Sequence, residues 1–318
     1  MPASCLATDP RTGYPAATAV SVHTPDPSGS RSTAPAAHGC PAVRVGDNVW
    51  AVMVLSICSL KGGVGKTSVV LGLASAALSR EIPTLVIDLD PQADATVGLN
   101  VIDEQPTSVV DLLRHPRRRP ISQLAVASGW TDSTTGRLDV VPGSEAGAAL
   151  DGPPDGERGL GRVRRALEKA DDYRLVLLDC PPSFGTLTRN ALVASRRALV
   201  VSEPGLFSVT AADRALRAID SLRRSSAPQL QPLGVLVNRF RDRSPEHRFR
   251  VGELTDMFGP LVLTPALPER SALQQAQGAS QPIHEWPGPA ARELADAFDH
   301  HLARVLRVGS RQPKRRTA

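Results

Sequence analysis

From residue 52 onward, short apolar runs alternate with longer segments whose apolar residues recur at helical spacing. The apolar runs predict buried strands at 52–59, 84–88, 138–141, 175–179, 198–202, 233–237 and 261–264. The amphipathic segments predict helices at 67–79, 108–114, 158–170, 187–194, 211–225, 246–258 and 290–308. Continuously apolar strands separated by helices are typical of a parallel sheet that is covered on both faces. The predicted fold class is therefore α/β, with a mostly parallel twisted sheet and helices on both faces.

The two ends of the chain lack this periodicity. Residues 1–48 are rich in Pro, Ala, Ser, Thr and Gly, and their acidic and basic charges cancel. Such a segment buries too little apolar surface to offset the entropy of ordering, so we predict a disordered low-complexity extension. Met53 lies at the head of the first strand, and one hypothesis is that translation begins there. Residues 49–308 form one predicted domain, and residues 309–318 form a basic, flexible tail.

The composition favours an anionic partner without identifying it. The net charge is +5 and the isoelectric point is about 9.4, which favours nucleic acid first and acidic membrane second. The four cysteines show no C-x-x-C spacing, so iron–sulfur and zinc patterns are absent. No apolar run approaches the ~20 residues of a membrane span, and the N-terminal segment lacks the apolar region of a signal peptide. We expect a cytoplasmic protein.

The candidate chemistry begins in the loop between the first strand and the first helix. This loop holds two of the four lysines among 37 basic residues, and it reads Lys61-Gly62-Gly63-Val64-Gly65-Lys66-Thr67-Ser68. A compact ammonium fits between phosphate oxygens where a planar guanidinium would not. Backbone N–H groups at a helix N-terminus would cradle phosphate, Lys66 would bridge the β and γ oxygens, and Thr67 would offer its hydroxyl to Mg²⁺. The alternative is a glycine-rich turn with incidental lysines, which the strand–loop–helix context disfavours.

Lys61 makes this loop resemble the deviant Walker A motif of the ParA/MinD family of P-loop ATPases. Other segments resemble motifs of that family in the same order, namely switch I at 85–96, Walker B and switch II at 175–183, the next helix at 188–194, and C-terminal elements at 265–268 and 276–282. The resemblance runs through most of residues 52–305 and is closest to the ParA (Soj-type) partition proteins. It implies a P-loop NTPase domain that binds ATP with Mg²⁺ and hydrolyses ATP to ADP and phosphate.

The resemblance also implies roles for single residues. Lys61 would reach across an ATP-dependent homodimer to the phosphates of the other subunit, whereas Lys66 would contact the nucleotide of its own chain. Asp90 would position the attacking water, because phosphoryl transfer needs orientation more than a strong base. Asn238 would contact the adenine, and Arg239 beside it would stack on the base.

Three residues are candidates for holding Mg²⁺, namely Thr67, Asp88 and Asp179. The two aspartates end predicted strands, and each of them alone could be a simple strand-end cap. Their joint placement at the C-terminal ends of neighbouring strands favours a ligand site, because ligands bind at that edge of open α/β sheets. The resemblance assigns both aspartates to Mg²⁺, through its bound water.

The ParA branch of the family binds DNA without sequence preference, and a ParB-like partner stimulates its ATPase. Arg243 aligns with a DNA-binding arginine of the family, and Arg241 and Arg270 are the other candidates for contacting DNA phosphates. Each of these arginines could equally be a solvated surface charge. The implied function is plasmid or chromosome partition by a cytoplasmic, nucleoid-associated dimer.

Other functions stay open at this point. A ParA-like ATPase could position a cargo other than DNA, and the sequence does not name the cargo. A MinD-like division regulator would bind the membrane, but the tail at 309–318 has no large apolar residue to insert, which argues against a membrane partner. A metabolic ligase of the same superfamily would not need Lys61.

Overall fold

The computed structural model describes residues 52–101, 105–133, 135–152 and 159–310. The predictions for residues 1–48 and 311–318 lie outside these ranges. The strands are β1 (Met53–Cys58), β2 (Thr84–Asp88), β3 (Val126–Ala127), β4 (Leu138–Val141), β5 (Leu175–Asp179), β6 (Arg197–Ser202), β7 (Gln231–Val237) and β8 (Val262–Leu263). The helices are α1 (Lys66–Leu78), α2 (Asp94–Gly98), α3 (Val109–Arg114), α4 (Arg162–Ala166), α5 (Thr186–Ala194), α6 (Ser208–Arg224), α7 (Pro245–Phe258), α8 (Ser271–Gly278) and α9 (Pro289–Ser310).

These strands form one sheet in the order β3-β4-β2-β5-β1-β6-β7-β8. Neighbouring strands are parallel except β3 and β4, which are antiparallel. The predicted α/β fold is therefore confirmed. β1 lies between β5 and β6 near the centre of the sheet, so the lysine-containing loop that follows β1 emerges where open α/β sheets bind ligands.

Helices bury a separate apolar cluster on each face of the sheet. Successive strand residues point to opposite faces, so Leu177 joins one cluster and Leu178 joins the other. Helices α1, α8 and α9 pack on the first face, and α3 to α7 pack on the second. A Cβ on Gly72 of α1 would lie 2.1 Å from the ring of Phe298 on α9. Glycine at position 72 therefore allows α9 to pack closely against the helix that follows the loop.

Several elements differ from the sequence-based prediction. The helix predicted at 158–170 is shorter in the structure. Helix α4 begins after Gly161, whose φ is +82°, and a 3₁₀ turn at Leu167–Lys169 follows it. Residue 158, the first residue of the predicted helix, lies outside the described ranges. Helix α9 continues to Ser310, so residues 309 and 310 are helical and not part of a flexible tail. The short elements α2, α8 and β3 have no counterpart among the predicted helices and strands.

Candidate nucleotide site

The lysine-containing loop joins the C-terminal end of β1 to the N-terminus of α1. Gly63 and Gly65 have φ values of +74° and +86°, a left-handed conformation that glycine adopts without steric cost. Gly65 is the N-cap of α1, and no side chain caps the helix there. The first N–H groups of α1 thus have no capping acceptor, as a phosphate-binding helix N-terminus requires. Ser68 in the first turn donates a 3.4 Å hydrogen bond to Gln277 Oε1 on α8.

Asn238, directly after β7, holds this loop in place. Its Nδ2 donates a 2.9 Å hydrogen bond to the carbonyl oxygen of Val64, and the residue is only 2% exposed. A Cβ on Gly65 would lie 2.2 Å from the same Nδ2, so packing requires glycine there as much as the backbone conformation does. The structure therefore gives Asn238 a role in positioning the loop, and its adenine contact stays a prediction.

Thr67 and Asp179 provide oxygen atoms suited to a cation. Thr67 Oγ1 donates a 2.7 Å hydrogen bond to Asp179 Oδ2, which leaves lone pairs on the hydroxyl oxygen. Asp179 Oδ1 is buried and has no hydrogen-bond partner among the described residues. Those residues include no group of three or more His, Cys, Asp or Glu that could form an all-protein metal site. The pair fits Mg²⁺, which takes one or two carboxylates and completes its shell with phosphate and water.

Asp88 lies opposite Asp179 in the register of β2 and β5, but its contacts differ. Its Oδ2 accepts hydrogen bonds from the N–H and the hydroxyl of Thr96, at 2.9 and 2.7 Å, and its Oδ1 accepts one from the N–H of Asp90 at 3.2 Å. Thr96 Oγ1 in turn accepts a 2.8 Å hydrogen bond from the N–H of Gly143. Both oxygens of Asp88 thus hold the segment 90–96, and its contact with Mg²⁺ stays a prediction.

The electrostatics of the two buried carboxyls favour a cation. Burial raises the pKa of Asp88 to about 6, against the lowering effect of the Thr96 hydrogen bonds. Burial and then the charge of Asp88 raise the pKa of Asp179 well above its usual range, while the Thr67 hydrogen bond and the charge of Lys66 lower it. A divalent cation placed here would offset the cost of keeping two carboxylates ionised in a buried site.

Asp90 lies two residues beyond β2, at the same edge of the sheet as the loop. Its Oδ1 accepts a 3.1 Å hydrogen bond from the N–H of Gln92, and its carbonyl oxygen accepts one from the N–H of Ala93 at 2.9 Å. Ala93 has a φ of +56° and precedes α2, so a tight turn fixes the Asp90 carboxyl. Its role in positioning water stays a prediction.

The two lysines of the loop have different environments. Lys66 is the first residue of α1 and is 6% exposed. Lys61 lies at the rim, where its side chain is 41% exposed and its Nζ forms an ion pair with Glu203. Glu203 follows β6 and its side chain is 27% exposed. No sequence motif predicts that Glu203 lies near Lys61. The one available signal is that this acidic residue directly follows a strand that adjoins β1.

A cleft of about 290 Å³ opens beside Glu203, lined by Glu203, Pro204, Gly205, Arg239, Arg241, His247 and Glu269. Arg239 has a φ of +57°, which is uncommon for a residue with a side chain. Such backbone strain clusters at functional sites, where the surrounding structure holds it. Arg239 follows Asn238 in the chain, and the cleft that Arg239 lines also contains Glu203, the ion-pair partner of Lys61. Its stacking on the base stays a prediction.

The arginines predicted to contact DNA differ in their availability. Arg241 forms an ion pair with Glu269. Arg270 binds Glu293 through two hydrogen bonds of 2.7 and 2.9 Å. Arg243 is exposed and makes no hydrogen bond or ion pair within the described part of the chain. Of the predicted set, Arg243 is thus the arginine whose charge no carboxylate neutralises.

Known proteins resemble the chain across the region that carries these residues. A family model named AAA_31 and described as an AAA domain matches residues 52–232. The chromosome partitioning protein ParA of Myxococcus xanthus is 30% identical over 244 residues, which cover 75% of this chain and 83% of that protein. Cobyrinic acid a,c-diamide synthase from Mycobacterium smegmatis, solved with an ATP analogue and magnesium, gives a TM-score of 0.66 at 26% identity, covering 81% of this chain and 95% of that one. A complex of Cyanothece McdA with ATP gives a TM-score of 0.69 at 19% identity over 82% of this chain and 98% of that one, and it supports the fold alone.

Proposed function

Because the chain belongs to the ParA/MinD-type family of P-loop ATPases, we propose that it is a partition ATPase that closes into a dimer when it binds ATP and Mg²⁺. The dimer binds DNA without sequence preference, and a ParB-like protein stimulates hydrolysis, so that a plasmid or chromosome is moved at the nucleoid. The observation that carries this proposal is the pair of lysines in one loop, with Lys66 buried at the helix N-terminus and Lys61 at the exposed rim. The ParA relative of Myxococcus xanthus supports the partition role.

Within one subunit, the residues of the loop and the strand ends divide the work on the nucleotide. The N–H groups at the start of α1 and the ammonium of Lys66 bind the phosphates. Thr67 and Asp179 hold Mg²⁺, which when bound neutralises charge on the phosphates. Asp90, fixed in its turn, orients the attacking water, and Arg239 in the cleft binds the base.

The position of Lys61 is the reason for proposing a dimer. Its ammonium is not needed by the nucleotide of its own loop, because Lys66 already serves those phosphates, and it lies at the rim where a second subunit can approach. We expect the Asp90→Ala variant to hydrolyse ATP slowly, and to elute in gel filtration as a dimer with ATP and as a monomer without ATP. We expect Lys61→Ala in the same background to stay monomeric. A normal ATP dimer of Lys61→Ala would remove the cross-subunit role, and no ATP-dependent dimer of Asp90→Ala would overturn the proposal.

DNA binding is then measured on the trapped dimer with a nonspecific duplex. Arg243→Glu is expected to weaken binding while ATP hydrolysis without DNA is retained, because Arg243 lies outside the nucleotide site. Arg292→Glu, a change of the same charge at an exposed position of α9, is the control. Unchanged affinity of Arg243→Glu, or an affinity that does not depend on salt, would show that this contact is misplaced.

A second candidate is a ParA-like ATPase that positions a cargo other than DNA. Two of the three candidate DNA contacts, Arg241 and Arg270, are engaged by carboxylates, and this observation favours the alternative. A trapped ATP dimer without affinity for duplex would select it. No helix among the described residues has the length and apolar character to cross a bilayer, and flotation with anionic vesicles and ATP tests peripheral attachment of the MinD type.

A further inference from the structure

Two arginine-rich segments meet on the sheet face that carries α3 to α7. The segment 114–120, at the end of α3, has four arginines and no acidic residue, and the segment 162–168, which contains α4, has three arginines and one glutamate. Arg162 joins the segments, because its guanidinium donates a 3.3 Å hydrogen bond to the carbonyl oxygen of Leu113. We call these two segments together the α3–α4 basic surface.

The surface is concave. A cavity of about 570 Å³ opens between its two segments, and the lining residues include Arg117, Arg119, Arg165 and Glu168. Pro116 and Pro120 flank the arginine run, and the N–H of Arg118 donates a 3.0 Å hydrogen bond to the carbonyl oxygen of His115. Fixed proline φ angles and this turn pre-organise the arginines, so less entropy is lost when they bind a ligand.

The charge of the surface is largely uncompensated. Arg114, Arg118, Arg119 and Arg164 are exposed, and their guanidinium groups form no hydrogen bond or ion pair with the described residues. The ion pair between Arg117 and Glu168 is long, at 3.9 Å, and its side chains are 73% and 54% exposed, so it contributes little. Arg241 and Arg270, in contrast, each bind a glutamate. A cluster of exposed arginines with little carboxylate compensation therefore lies away from the arginines that the sequence pattern predicts.

We propose that the α3–α4 basic surface binds the phosphate backbone of duplex DNA. This inference rests on the proposed DNA binding of the dimer, but it locates the DNA on a different surface from the predicted arginines. Guanidinium forks match phosphate oxygens, and a duplex presents a regular row of them along a groove. The described residues with large exposed apolar side chains all lie outside both segments. A protein interface needs an apolar centre and stable membrane attachment needs apolar insertion or a lipid anchor, so the surface fits a nucleic acid better than either.

The test uses the full chain with a non-hydrolysable ATP analogue and a fluorescent nonspecific duplex. The variant changes Arg117, Arg118 and Arg119 to Ala, three exposed loop positions outside the nucleotide site. For each subunit whose surface touches the duplex, removing three phosphate contacts should weaken binding on the order of 100-fold at 0.1 M salt and reduce the slope of log K against log salt by roughly 2.7. Replacing the same three arginines by Lys should retain most of the slope, because the charge is kept. Basal ATPase activity checks that the variants are folded.

The matched control removes three arginines on the opposite face of the sheet, by changing Arg80, Arg292 and Arg307 to Ala. Equal loss in this control would show that only net charge matters and would overturn the inference. Wild-type affinity and slope in the Arg117, Arg118 and Arg119 variant would overturn it while leaving the proposed DNA binding intact. A wild-type protein that binds no duplex in any nucleotide state would overturn both. If the Arg117, Arg118 and Arg119 variant lost binding to anionic vesicles but bound duplex normally, the surface would be assigned to lipid headgroups, and the inference would also be overturned.

Discussion

The ion pair between Lys61 and Glu203 allows the cross-subunit role of Lys61 to be tested from the opposite direction. In the monomer, the carboxylate of Glu203 holds the ammonium of Lys61 within its own chain. A lysine that binds the phosphates of a second subunit must first leave this carboxylate. Glu203→Gln keeps the shape of the side chain and removes its charge. We therefore expect Glu203→Gln to strengthen ATP-dependent dimerisation, which is the opposite of the effect of Lys61→Ala.

The magnitude follows from the exposure of the pair. With side chains 41% and 27% exposed, the ion pair is solvent-screened, and such pairs contribute about 0.2–1 kcal/mol. Closing a symmetric dimer breaks two of them, which gives about 0.4–2 kcal/mol per dimer. At about 1.4 kcal/mol per factor of ten, the Kd of the ATP-bound dimer should fall by a factor of about 2 to 30.

The assay is sedimentation velocity across a concentration series, with ATP, in the Asp90→Ala background. Glu269→Gln is the matched control, because it removes a carboxylate from the same cleft but releases Arg241 and not Lys61. In a Lys61→Ala background, Glu203→Gln should have no effect on dimerisation, since the pair no longer exists. A dimer that is unchanged or weaker in Glu203→Gln, or an equal gain without Lys61, would refute the reasoning.

Two further predictions concern the loop and the stability of the fold. Gly65→Ala should abolish measurable nucleotide binding in a fluorescent-ATP titration. A residue with a side chain at a φ of +86° costs about 1–2 kcal/mol, and the new Cβ would lie 2.2 Å from Asn238 Nδ2. The control is Gly252→Ala on α7, where a Cβ meets nothing within 4 Å, and this variant should bind nucleotide normally. Burial lowers the pKa of His301 from 6.5 to about 4, so the folded state excludes a proton that the unfolded chain binds below pH 6.5, and stability is lost as the pH falls from 6.5 towards 4. Urea unfolding should show a loss of about 2 kcal/mol from this residue between pH 7 and pH 5, and His301→Gln should show a smaller loss over that interval; an equal loss would contradict this origin.

The parts of the site that the sequence predicts are those encoded by contiguous residues. The apolar runs of β1, β2 and β5 are long enough to predict strands, and the loop after β1 carries its chemistry in eight successive positions. The sequence predicts Asp88 and Asp179 at neighbouring strand ends, and the register of β2 and β5 pairs them directly. Local pattern suffices here because each strand is buried on both faces and ends at the same edge of the sheet.

The parts that the sequence does not predict depend on contacts between distant segments. Helix α2 has five residues and follows Ala93, whose backbone is left-handed, and the hydrogen bonds from Thr96 to Asp88 hold the helix in place. No periodicity is visible in so short a helix. The pairing of Lys61 with Glu203 joins residues 142 positions apart, and only the adjacency of β1 and β6 brings them together. The α3–α4 basic surface likewise depends on the packing of two segments, neither of which has a motif.

The two buried aspartates, Asp88 and Asp179, make different contacts, although the sequence pattern does not distinguish them. Asp179 directs Oδ2 to the hydroxyl of Thr67 and keeps Oδ1 without a protein partner, so it is the carboxylate with an oxygen available to a cation or its water. Asp88 uses both oxygens on the segment that carries Asp90 and Thr96. Since the two carboxyls repel each other across the β2–β5 register, a cation bound beside Asp179 would change the electrostatic field at Asp88, whose oxygens accept the hydrogen bonds of the segment with Asp90. Under the proposed function, the metal-binding and water-positioning residues would thus be coupled through this one pair of side chains.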